Sequence, residues 1–277
     1  MNILRDLDYA NVGGVALTLD LYLPEDGVSA HPLVVWVHGG AWLEGDKENP
    51  PVMRLVEHGY AAASINYRLS QQALFPAQIN DCKAAIRWLR AHAAEYAIDA
   101  EHIGVWGHSA GGHLVALLGT SGDVKALEGD AGYSEYSSRV QAAADYSGPT
   151  DLLHMNSPMR FMRMVAGGMD HDAPDSPESK LIGGPIQQHP QRVALANPII
   201  YVRAGAPPFL IVHGIMDTVV PMSQAELLHQ VLSRVGASAT LRIVGNAWHD
   251  FSQIHDEALL LAFFDKHLRG MQTTFAY

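Results

Sequence analysis

The sequence predicts an α/β fold built on a mostly parallel sheet, and three observations carry that expectation. Apolar runs of strand length alternate with longer segments of helical periodicity. The central runs are nearly continuous in β-branched, aromatic or small residues, as strands are when helices cover both faces. Each helical segment follows directly on a strand or a turn. Eight strands result. Residues 3–10 and 15–23 flank the turn Asn11-Val12-Gly13-Gly14 and read as an antiparallel hairpin, VALTLDLYL alternating apolar and polar. LVVWVH (33–38), YAAASIN (60–66), IGVWGH (103–108), VQAAADY (140–146), PFLIVH (208–213) and TLRIVG (240–245) complete the set.

Helices fill the gaps. Pro76 opens a long one, with Ile79, Cys82, Ala85, Ile86 and Leu89 at helical spacing through Ala94. Residues 110–119, 222–235 and 253–268 give three more. Strands six and seven are separated by roughly sixty residues, beyond an ordinary α/β connection, so 150–200 are expected as a lid or cap within one domain spanning 1–277. In it, Ser176-Pro177-Glu178 reads as N-cap, first helical residue and favourably placed acid of a short helix that Gly183-Gly184 stops. Five of the ten methionines (Met155, Met159, Met162, Met164, Met169) crowd the same insertion. With Phe161 they suit an adaptable apolar pocket wall or plain packing of cap on core.

Composition narrows the possible functions. The 277 residues are 48% hydrophobic and 17% charged, with 18 Lys and Arg against 29 Asp and Glu, a net charge of −11. An acidic chain offers no broad cationic face to nucleic-acid phosphates or anionic lipid, so neither is expected as a partner. The single cysteine, Cys82, leaves no internal disulfide. The first residues lack a basic start and a long apolar run, and no later stretch is apolar enough to span a membrane, so a cytoplasmic location is expected. An exposed edge strand gives a route to a homodimer, though nothing in the sequence demands one.

The sharpest chemical signal is Gly107-His108-Ser109-Ala110-Gly111-Gly112, a G-x-S-x-G between a strand and a helix. A nucleophile on so tight a turn needs minimal side chains two residues to either side. A second signal is His38-Gly39-Gly40-Ala41-Trp42 at the end of the third strand, where the N–H groups of Gly40 and Ala41, with that of Ala110, suit an oxyanion hole. A serine hydroxyl needs a base, and the base needs a carboxylate. Among fifteen histidines His249 is preferred, because NAWHDF follows the last strand on the edge where parallel strands end. Asp217, in HGIMDTVVP after strand seven, is the preferred carboxylate, with Asp145 and Asp151 as runners-up. Asp250 adjoins His249 and can hardly orient its own neighbour's ring. Trp42, His108, Met155 and Phe161 are the expected substrate contacts. His249-Asp250 and His255-Asp256 recur in a short span, but neither H-E-x-x-H nor a Cys/His quartet exists, so no metal or cofactor is expected.

Together these residues resemble the α/β-hydrolase superfamily, in particular its hormone-sensitive-lipase-like esterases and the bifunctional feruloyl and acetyl-xylan esterase family. HGGAW, CKAAIRWLRAHAAEY, IGVWGHSAGGHL, SGPTDL, SPESKLIGG, PPFLIVHG and the late histidine match in order and spacing across most of the chain. One departure is Asp250, where many relatives follow the catalytic histidine with glycine. The resemblance implies an α/β-hydrolase fold and hydrolysis of a small-molecule carboxylic ester by Ser109, with short acyl or hydroxycinnamoyl esters as substrates and no metal. Two alternatives stay open: an arylformamidase-like amide hydrolase, and a non-catalytic binding module of the same fold.

Overall fold

The computed structural model describes residues 1–27, 30–156, 169–250 and 257–272. Eight strands form one sheet in the order β1-β2-β4-β3-β5-β6-β7-β8. They are β1 (Asn2–Val12), β2 (Val15–Leu23), β3 (His31–Val37), β4 (Ala61–Ile65), β5 (Ile98–His108), β6 (Ala142–Tyr146), β7 (Phe209–Gly214) and β8 (Ala239–Val244). The opening hairpin is antiparallel and β2 joins β4 antiparallel; every later pairing is parallel. This is the α/β-hydrolase fold that the sequence predicts.

The helices, among the described residues, are α1 (Met53–Glu57), α2 (Ala77–Ala91), α3 (Ala110–Thr120), α4 (Pro177–Ile182), α5 (Pro190–Ala196), α6 (Ser223–Arg234) and α7 (Glu257–Leu268). They divide between the two faces of the sheet. Leu33, Val35 and Val105 face the core that α2, α3 and α6 close with Ile79, Leu114 and Leu228. Val34, Trp36 and Trp106 face a second core, closed by Leu55 and Val56 of α1 and by Leu260, Phe263 and Phe264 of α7. The alternation of strand side chains builds both cores from the same residues' neighbours, which explains why the central strands read as continuously apolar.

Two elements depart from expectation, each for a physical reason. β5 begins at Ile98, five residues early, because Ile98 and Asp99 pair with His31 and Pro32 before a register shift. Polar Asp99, Glu101 and His102 hide that extension. Helix α1 has only five residues, too few to display a period. By contrast α4 forms as expected: Ser176 Oγ accepts the Ser179 N–H at 3.1 Å, Pro177 occupies the first turn and Gly183 ends the helix at φ 79°. Of the methionine cluster and its aromatic neighbour, Met159, Phe161, Met162 and Met164 lie outside the described residues, as do the first residues expected of the last helix.

The sheet's carboxyl edge prepares a site. Parallel strands β3, β5, β6, β7 and β8 all end on this edge, so the loops after them gather there.

Candidate active site

Ser109 occupies the turn between β5 and α3 with φ 58° and ψ −123°, a conformation that L-residues rarely adopt. The turn is held from both sides. Its N–H donates to the Tyr146 carbonyl of β6 at 2.8 Å, and its carbonyl accepts the His113 N–H at 3.0 Å. Close backbone approach explains the flanking glycines: a Cβ on Gly111 would lie 2.0 Å from the Val37 carbonyl oxygen. With no side chain there, α3 starts directly against the end of β3.

The structure brings Ser109, His249 and Asp217 together from three separate loops. The His249 Nδ1–H donates to Asp217 Oδ2 at 2.7 Å, since a carboxylate can only accept. Nε2 is thereby left as the lone pair, and the Ser109 hydroxyl donates to it at 2.9 Å. The His249 side chain is 11% exposed, enough to meet a ligand, while that of Asp217 is fully buried. Burial by itself would raise the Asp217 pKa, but hydrogen bonds from His213 and His249 outweigh it and hold the carboxyl well below the usual range. Its Oδ1 accepts the N–H groups of Val219 and Val220 at 2.9 and 2.8 Å. The His213 Nε2–H donates to the Val220 carbonyl at 2.9 Å and lies 3.3 Å from Asp217 Oδ2.

The loop after β3 runs beside the serine: a Cβ on Gly39 would sit 3.4 Å from the Ser109 Cβ. Gly40, Ala41 and Trp42 have φ of 99°, 53° and 59°, and the Gly40 carbonyl closes the turn on the N–H groups of Leu43 and Glu44. Among the described residues, the N–H groups of Gly40, Ala41 and Ala110 donate to no loop carbonyl or side chain. The loop is braced from beneath. Tyr67 stacks on the His38 ring at 4.3 Å and donates its hydroxyl to the His38 carbonyl at 3.0 Å.

Other expected contacts fall elsewhere. Trp42 is 2% exposed and donates its indole N–H to His113 Nδ1 at 3.2 Å. His113 in turn donates from Nε2 to the Ala196 carbonyl at 2.7 Å, and full burial pushes its pKa down to about 4, so it stays neutral. Met155 is 1% exposed and packs in the core. Neither Trp42 nor Met155 presents appreciable surface to a substrate. His108 donates from Nε2 to the His249 carbonyl at 2.8 Å. Burial, then the neighbouring His249, pushes its pKa down to about 4, and this neutral ring tethers the backbone of His249.

Asp145 lies in the interior, 1% exposed, with Oδ1 accepting the Gly148 N–H at 2.9 Å. Burial raises its pKa from 3.8 to about 6, against the opposing pull of His213 and of that N–H. The folded state therefore holds the Asp145 proton more tightly, and stability falls as pH rises from 3.8 to about 6, by about 3 kcal/mol in all. Asp145→Asn cannot ionise. Its melting temperature relative to the wild type is expected to be more favourable at pH 8 than at pH 4, as read by circular dichroism. A difference that does not change with pH would show that ionisation of Asp145 carries no cost.

Fold and geometry together define a member of the α/β-hydrolase superfamily, with a serine on the turn after β5. Residues 19–232 match the BD-FAE family model, and the chain belongs to that family. It is 33% identical over 245 residues to the esterase LipQ of Mycobacterium tuberculosis, covering 86% of this chain and 55% of that protein. The probable carboxylic ester hydrolase LipM of the same organism is 32% identical, covering 79% and 49%. The chain thus spans about half the length of the curated relatives it matches. Among solved structures, a truncated carbohydrate esterase from gut microbiota superposes with a TM-score of 0.86 at 32% identity, over 97% of both chains. Thermogutta terrifontis esterase 2, phosphonylated by sarin, gives a TM-score of 0.75 at 27% identity over 96% of this chain and 94% of that one. No helix among the described residues is long and apolar enough to cross a membrane.

Proposed function

We propose that the protein is a serine carboxylesterase acting on short acyl esters and on acetyl or hydroxycinnamoyl esters, including those carried by sugars. The observation that carries this reading is the unbroken relay from Ser109 Oγ to His249 Nε2 at 2.9 Å and from His249 Nδ1 to Asp217 at 2.7 Å. Ser109 attacks the ester carbonyl carbon and passes its proton to His249. Asp217 steadies the imidazolium. The carbonyl oxygen, now negative, is met by the N–H groups of Gly40, Ala41 and Ala110. His249 gives the proton to the departing alcohol, then takes one from the water that attacks the acyl-enzyme and frees Ser109. Likeness to a carbohydrate esterase from gut microbiota favours an acyl group on a sugar as the substrate class.

A panel of p-nitrophenyl acetate, naphthyl acetate, methyl ferulate, acetylated xylo-oligosaccharides and N-formylkynurenine tests the reading, alongside labelling by a fluorophosphonate. The expected result is labelling together with kcat/KM highest on one of the esters. Preference for N-formylkynurenine would replace esterase by amidase chemistry. Absence of both labelling and turnover would make the fold a binding module.

A further inference from the structure

Outside the relay, the insertion between β6 and β7 sends one buried histidine to the Asp217 turn. His171 and Glu178 are 2% and 3% exposed. His171 Nδ1 lies 2.8 Å from Glu178 Oε1, and Nε2 lies 2.9 Å from the Val219 carbonyl oxygen. The Val219 carbonyl can only accept, and the same is true of Glu178 in its ionised form. A neutral imidazole has one N–H and can serve only one of them, leaving two lone pairs facing each other at hydrogen-bond distance. The imidazolium satisfies both, with Glu178 as its counter-ion. The segment is also pinned beside the ring: the His171 N–H donates to Asn156 Oδ1 at 3.1 Å, and Asn156 Nδ2 donates to Asp170 at 2.9 Å.

Val219 is the residue whose N–H, with that of Val220, holds Asp217 Oδ1. His171 therefore grips the carbonyl side of the turn whose amide side fixes the carboxylate. His213 grips the next carbonyl, that of Val220, from β7. We infer that His171 is a positioning residue: a doubly protonated strut, countered by Glu178 of α4, that sets the Asp217 turn in place to receive His249 and ties its geometry to the seating of the insertion. This inference rests on the esterase reading for its catalytic consequence alone.

Burial would lower the His171 pKa, but the hydrogen bond and charge of Glu178, the Val219 carbonyl and nearby Asp172 outweigh it, and the net displacement is upward. Glu178 faces the ring from α4 and Asp172 from its own segment, while the Asp217 carboxylate across the turn is turned to His213 and His249. No lysine or arginine bonds the ring among the described residues. The sign follows. A raised histidine pKa contributes stability that is complete below the ordinary histidine value and lost as pH rises through the folded value.

The test uses the full chain labelled with 15N-histidine. Long-range 1H–15N correlation spectra report each ring's protonation, and His171→Gln identifies the His171 signal by its loss. The expected result is a ring that keeps both nitrogens protonated above the pH at which an ordinary histidine turns neutral, and loses its second proton only at higher pH. Glu178→Gln is expected to move that titration to lower pH. In parallel, kcat for methyl ferulate is expected to show an alkaline fall at the pH of the His171 titration. In Glu178→Gln that fall moves to lower pH, the acidic limb stays in place, and at pH 8 kcat drops by about tenfold with KM little changed. A merely structural pair would change the melting temperature without displacing the alkaline limb. A wild-type His171 ring that titrates at or below the ordinary histidine value, or a Glu178→Gln profile superimposable on the wild type, overturns the inference. If the chain hydrolyses no ester, the spectra still decide the strut, and only the esterase reading fails.

Discussion

Replacing Ser109 with alanine is expected to lower kcat for ester hydrolysis by about five orders of magnitude while the circular-dichroism melt barely moves. Every step of the proposed reaction runs through Oγ, and among the described residues no second hydroxyl is held against His249 Nε2. The fold loses little, because the turn is kept by backbone bonds to Tyr146 and His113 that alanine preserves. A companion variant separates chemistry from strain. Ser109→Gly is expected to be equally inactive yet more stable than Ser109→Ala by about 1 kcal/mol, because glycine adopts the observed φ of 58° without its Cβ clash. Turnover or fluorophosphonate labelling that survives in both variants would remove Ser109 from the nucleophile's role.

Asp217→Asn is expected to cost about four orders of magnitude in kcat. Both carboxylate oxygens are surrounded by donors: Val219 and Val220 N–H on one, His249 and His213 on the other. An amide nitrogen at either position sets donor against donor. The least costly response is for His249 to move its proton to Nε2, which turns its lone pair away from Ser109. Stability should fall as well. The Asp217 pKa is depressed, so its contribution is present above the ordinary carboxylate value and vanishes as pH drops through the folded value. The melting temperature of the variant is therefore expected to lie below that of the wild type at pH 7, with the gap narrowing in acid. Unchanged kcat would assign the carboxylate's task to another group.

Much of this architecture is legible in the chain because strong local rules coincide with the global fold. The buried strands announce themselves through unbroken apolar runs, and Ser109 through glycines whose absent side chains allow β3 and α3 to meet. Asp217 and His249 are found by their place after β7 and β8. What escapes is whatever depends on packing between distant segments. His108 looks like a substrate contact from its seat beside Ser109, yet it bonds the His249 carbonyl 141 residues away. His213 had a signal, four residues before Asp217 in one HGIMD string, but its ring could as easily have met a core carbonyl alone. His171 had none. Its segment folds as turns and short helices with no period, so only the three-dimensional contact with Val219 identifies it.

The distribution of the relay over the sheet has a consequence for assembly. Ser109 and His249 are 140 residues apart, and the imidazole arrives on the loop after β8, the outermost parallel strand. Unlike β4, β6 and β7, whose residues are all buried, β8 is only half sheltered from solvent. Hydrogen exchange is accordingly expected to be faster at such a margin than in the central strands, and a molecule frayed there keeps both cores while Ser109 loses its hydrogen bond to His249. The proposed esterase activity is thus expected to be a finer gauge of the sheet's completeness than any spectroscopic measure of helix content.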